Sequence, residues 1–96
     1  MTVFVERGRS LRAQAKALVH EFMRNSDLCQ PGRSGMRLSE IFRECGFDWG
    51  SFPNATSSNQ QYWLVALMRQ LEAEGTVERL PQSGPWRLKQ QLAGSV

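Results

Sequence analysis

Between residues 10 and 24 the apolar positions are Leu11, Ala15, Leu18, Val19, Phe22 and Met23. Their spacing is that of one helix face. Ser10 is a good N-cap for this helix, and Asn25, Ser26 and Asp27 close it after Arg24. Residues 1–9 read as an N-terminal arm. Val3 and Val5 alternate as in a short strand, or Phe4 docks on the core, and the pattern leaves both open.

Gln30-Pro31-Gly32-Arg33-Ser34-Gly35 is a turn-rich loop, and Met36-Arg37-Leu38 is then short and extended. Ser39 caps a second helix from Glu40 to about Cys45, with Ile41, Phe42 and Cys45 along one side and Gly46 as its stop. Residues 47–55 read as an ordered loop whose aromatics, Phe47, Trp49 and Phe52, close over the core. A third helix follows, with a capping box from Ser57 and Gln60 or from Ser58 and Gln61. It runs to about Glu74 and stops at Gly75. Leu64, Leu67, Met68 and Leu71 form its buried stripe, with Val65 on the flank. Its opposite face carries Ser58, Asn59, Tyr62, Ala66, Arg69 and Ala73, and Trp63 lies near the boundary. After Gly75 the period changes. Residues 76–80 and 86–89 read as two strands joined by the turn 81–85, and residues 91–96 as a flexible tail.

Composition adds bounds. Ninety-six residues fit one domain, and 41% hydrophobic content supports one modest core. No apolar run approaches the roughly 18 residues that span a bilayer. The first residues carry charges without an apolar signal segment, so the expected compartment is the cytoplasm. Cys29 and Cys45 match no paired-cysteine motif, and with the single His20 they are too scattered to argue for zinc. No serine or cysteine stands in a nucleophile motif, and the glycines follow no phosphate-loop pattern. The expectation is a chain that is not an enzyme, with no cofactor, no metal and no membrane partner.

The net charge is +3. Its distribution says more than its sum. Basic residues dominate before residue 44 and after residue 78, whereas Glu44, Asp48, Glu72, Glu74 and Glu78 face only Arg69 between them. Basic ends around an acidic middle imply a surface with two poles.

The order helix, extended piece, helix, loop, helix, hairpin leads to a known pattern. Leu71-Glu72-Ala73-Glu74-Gly75-Thr76-Val77-Glu78-Arg79-Leu80, followed by Gly84-Pro85-Trp86-Arg87-Leu88, resembles the end of the recognition helix and the wing of winged helix domains. The resemblance covers about residues 10–90. It implies a mainly α fold with a small β-hairpin, a three-helix core plus a C-terminal wing. Val77, Leu80, Trp86 and Leu88 would cover the open end of that core.

The resemblance also implies a double-stranded DNA partner, with the chain acting as a transcriptional regulator or as the targeting module of a DNA-processing protein. The third helix would enter the major groove and the wing would lie on the backbone. The matching positions on the helix are Ser58, Asn59, Tyr62 and Arg69, with Gln60 in its first turn. Arg79, Gln82, Ser83, Arg87 and Lys89 would serve the wing, and Arg33 and Arg37 the loop before the second helix. Two features depart from the pattern: the recognition helix holds one cation, Arg69, against Glu72 and Glu74, and the 47–55 loop exceeds a tight helix-turn-helix turn. The alternative is a protein-interaction module that uses Trp49, Phe52, Tyr62 and Trp63, a surface through which two copies would form a homodimer.

Overall fold

Helix α1 (Thr2–Arg24) leads into a short 3-10 turn (Asp27–Cys29), followed by α2 (Leu38–Glu44), α3 (Ser58–Ala73) and the strands β1 (Val77–Arg79) and β2 (Trp86–Leu88). This computed structural model describes residues 2–47, 58–81 and 84–90, and only the backbone of 58–62. The protein is mainly helical, with a small two-stranded antiparallel sheet. No helix among the described residues is long and apolar enough to cross a membrane.

The first helix corrects the arm expected at residues 1–9. It starts at Thr2, so Ser10 sits inside it, and the Ser10 hydroxyl accepts a bond from Gln14 Nε2 at 3.3 Å instead of capping a helix. Nothing in residues 2–9 breaks a helix except Gly8, whose missing side chain faces open space. The expected apolar face is also split. Val19 and Met23 are fully buried, whereas Leu11 is 65% and Leu18 43% exposed. The core meets only the C-terminal part of α1, so a continuous apolar pattern outruns its partner. At the far end, Gln30 Nε2 donates to the carbonyls of Met23, Arg24 and Ser26 at 3.1, 3.0 and 2.7 Å. Met23 and Arg24 belong to the last turn of α1, where carbonyls lack intrahelical partners, and Ser26 lies just beyond it.

Helix α2 begins one residue before the expected cap. Arg37 occupies the N-cap in extended geometry, and Ser39 lies in the first turn. Ile41 and Phe42 are buried against Leu64, Leu67, Met68 and Leu71 of α3, as the pattern of both helices requires. Phe42, Phe47 and Trp63 form an edge-packed trio with ring centroids 4.9–6.1 Å apart. Phe47 therefore closes over the core as expected. Trp49 and Phe52 lie outside the described residues.

After α3, Gly75 takes φ +80° and turns the chain into β1. Val77 pairs with Leu88, Glu78 with Arg87 and Arg79 with Trp86. Alternation then sorts the hairpin. Val77, Trp86 and Leu88 are buried on one face, and Glu78 meets Arg87 on the other. Trp86 is the junction of this layer. Its amide donates to the Met36 carbonyl and its carbonyl accepts from the Met36 amide, both at 2.8 Å. The extended piece expected at Met36 is thus a single bridge on the open edge of β2.

Gly35 makes that bridge possible. It holds φ +79°, and a Cβ there would lie 2.9 Å from the Trp86 carbonyl oxygen and 3.1 Å from Pro85 Cβ. Both the left-handed backbone and the backbone obstacle disfavour a side chain. Gly35→Ala should therefore cost about 2 kcal/mol or more. Chemical denaturation checks this, and a change within a few tenths of a kcal/mol would show that the loop shifts freely.

Candidate nucleic-acid interface

The residues singled out in the sequence do not gather in one place. They divide by the geometry of the hairpin and of α3.

Arg37, Arg69 and Arg79 come together. Arg37 is the N-cap of α2, Arg69 lies in the last two turns of α3 and Arg79 ends β1. They line one cleft with Leu38, Ser39, Val65, Gly84 and Trp86, about 310 Å³ in volume. No carboxylate is among its lining residues. Trp86 forms the base. The Arg69 and Arg79 guanidinium carbons lie 5.8 and 6.0 Å from its ring centroid, within cation–π range. Gly84 explains the placement of Arg79: a Cβ at Gly84 would fall 2.5 Å from Arg79 Nε, so the guanidinium occupies the room a side chain would need.

The three cations differ in how much charge they leave available. Arg69 donates from Nη1 to Glu72 Oε1 at 3.0 Å, an exposed pair that water screens and that contributes little. Neither Arg37 nor Arg79 has an ion pair among the described residues. All three are exposed at the mouth of a cleft with an apolar base. Chemically such an arrangement can hold a compact anion with several oxygens, because planar guanidinium groups bind phosphate and carboxylate through paired N–H donors.

Arg87 and Arg33 lie elsewhere. Arg87 Nε donates to Glu78 Oε2 at 2.6 Å across the strand pair, and its Nη1 donates to the Arg33 carbonyl at 2.8 Å. The Arg87 head group is thus occupied in tying the 30–35 loop to the hairpin. Lys89 borders a third region, a groove of about 410 Å³ with His20, Arg24 and Gln30 of the α1 end. His20 is half-buried there. The cations expected to act together on the hairpin therefore border three different regions of the surface.

Positions 58, 59, 60 and 62 lie in the first turns of α3, with the backbone alone described. Helical spacing puts 58, 62, 65 and 69 on one stripe, whereas position 60 falls in register with the buried Leu64, Leu67 and Leu71. Gln82 and Ser83 lie outside the described residues. Of the aromatic interaction surface, Trp63 is 41% exposed but packs its ring edge on Phe42 and Phe47. Trp49 and Phe52 lie outside the described residues, and of Tyr62 only the backbone is described.

Sequence reading missed Trp86 as the base of the cleft. It also missed Gly84 as the opening for Arg79. The spacing of 37, 69 and 79 carries no local signal, since only the Met36 bridge brings the first of them to the hairpin.

The thiols lie apart from this cleft and are free. Burial raises the Cys45 thiol from an ordinary 9.0 to about 11, with the Glu44 carboxylate and Cys29 adding to it. Burial likewise raises Cys29, against a hydrogen bond to Ser26. Both therefore stay protonated in neutral solution. Among the described residues no three His, Cys, Asp or Glu side chains are grouped to hold a metal ion.

Compared with known proteins, the chain matches no family model, no curated relative and no solved structure.

Proposed function

We propose that the chain is a winged helix domain that binds double-stranded DNA, with α3 in the major groove and the arginine cleft on a flanking phosphate. The observation that carries this reading is the convergence of Arg37, Arg69 and Arg79, from three separate elements, on one cleft without a lining carboxylate. The element order supports it, as does the Met36 bridge that extends the hairpin toward a third strand. The stripe 58, 62, 65 and 69 then runs from the proposed groove-reading end of α3 to the cleft. Phosphate contacts position such a domain, and base-edge contacts from Ser58, Asn59 and Tyr62 would carry sequence preference.

Arg37, Arg69 and Arg79 hold the backbone. Arg87 stabilises the hairpin instead, since its charge is already matched by Glu78.

An NMR titration with a random-sequence duplex tests the reading. Amide shifts should concentrate at Arg37, Ser39, Arg69, Arg79 and the start of α3, and they should fade as salt rises. Still amides at low salt would remove the DNA reading.

A further inference from the structure

Residues 2–14 of α1 are exposed throughout, so roughly half of this helix runs beyond the core. An unsupported helix of that length is marginal in water. Its apolar residues are nevertheless ordered. Phe4, Leu11 and Leu18 recur every seven residues and are 60%, 65% and 43% exposed. Gly8, Ala15 and Phe22 recur every seven residues between them. The combined spacing of four and three is a coiled-coil seam, about 27 Å long from Phe4 to Phe22. It lies on the flank of α1, beside the Val19 and Met23 face that the core covers, and its C-terminal members Ala15 and Phe22 are half-buried where the two faces meet.

We propose that this seam pairs with the same seam of a second copy, the two α1 helices running antiparallel. Size complementarity selects that direction. Antiparallel pairing about a two-fold axis sets Leu18 against Gly8 of the second copy, Leu11 against Ala15, and Phe4 against Phe22. Each leucine then enters the space left by a small residue, and the helices approach closely. Parallel pairing would set all four large residues against themselves, where the antiparallel register has only Phe4 against Phe22, and would leave Gly8 facing Gly8, where a Cβ already meets nothing within 4 Å.

Charge selects the same direction. Arg7 and Glu21 flank the seam on one side, both exposed. In the antiparallel register Arg7 of each copy faces Glu21 of the other, twice by symmetry. In the parallel register Arg7 would face Arg12 of the other chain, a like-charge contact. The antiparallel arrangement does bring the two Arg12 residues toward each other near the axis, on the side of the groove that Arg12 lines with Gln70. Their exposure lets the head groups part into water.

Sedimentation of the full chain is the test. The wild type should sediment at twice the 10.9 kDa chain mass. Leu11→Glu, outside the core, should sediment as a monomer whose thermal midpoint no longer rises with protein concentration, as that of the wild type should. Arg7→Glu should weaken the dimer, and Arg7→Glu with Glu21→Arg should restore it. Under oxidation, Gly8→Cys mixed with Leu18→Cys should give a cross-linked dimer that neither variant gives alone. A monomeric wild type, a dimer that survives Leu11→Glu, or cross-linking of each cysteine variant with itself would overturn the proposal.

Discussion

Trp86→Ala should destabilise the domain by about 3–5 kcal/mol, a large part of the roughly 5–14 kcal/mol that a chain of this size holds. The indole is only 3% exposed and lies between the helical core and the hairpin. Its removal leaves a cavity beneath two guanidinium groups as well as an apolar gap beside Leu88. The Met36 bridge uses only backbone atoms, so it survives the substitution in principle, but it loses the side chain that holds β2 against the core. Urea denaturation should show the midpoint falling by about 2 M at an unchanged slope. Trp86→Phe keeps most of the buried ring and should cost less than half as much. If the alanine variant lost under about 1 kcal/mol, the hairpin would be an appendage and the core would stand on the helices alone.

The same residue shows what the sequence could and could not reveal. Local chemistry was legible. Gly75 as a helix stop, the alternation of Val77, Trp86 and Leu88, and the stripe of Leu64, Leu67, Met68 and Leu71 all follow from spacing, and the structure has them. The extent of α1 was not legible, because an apolar period reports a helix face and not the length of its partner. Leu11 and Val19 look alike in the pattern, yet one is 65% exposed and the other fully buried. The site was legible only as a list of cations. Which of them act together depends on contacts far apart in sequence: the Met36 bridge brings Arg37 to the hairpin, and strand alternation sends Arg79 and Arg87 to opposite faces. Glu78 counted as one acid in an acidic middle. In the fold it is the partner that removes Arg87 from the available charge.

Replacing Arg37, Arg69 and Arg79 together by glutamine should lower duplex affinity by a hundredfold or more near 0.1 M salt, at about tenfold per lost phosphate contact. The log–log salt slope should flatten by roughly two to three for the same reason. Exposure of all three side chains keeps the cost to folding small, although Arg69 and Arg79 also lose their stacking on Trp86, about 0.5–1 kcal/mol each. Circular dichroism separates that cost from lost binding. Lys89→Gln supplies the comparison. Lys89 carries the same charge but faces the groove at the end of α1, away from the cleft. A local phosphate site predicts that Lys89→Gln changes affinity only a few-fold, through the overall field. Arg87→Gln should resemble Lys89→Gln in binding, because Glu78 already balances its charge. If glutamine placed singly at Arg37, Arg69, Arg79, Arg87 and Lys89 weakened binding equally at all five, affinity would follow net charge, and the cleft would have no part in positioning the DNA. If only those at Arg37, Arg69 and Arg79 did so, the convergence that the hairpin and the Met36 bridge create would be what holds the backbone.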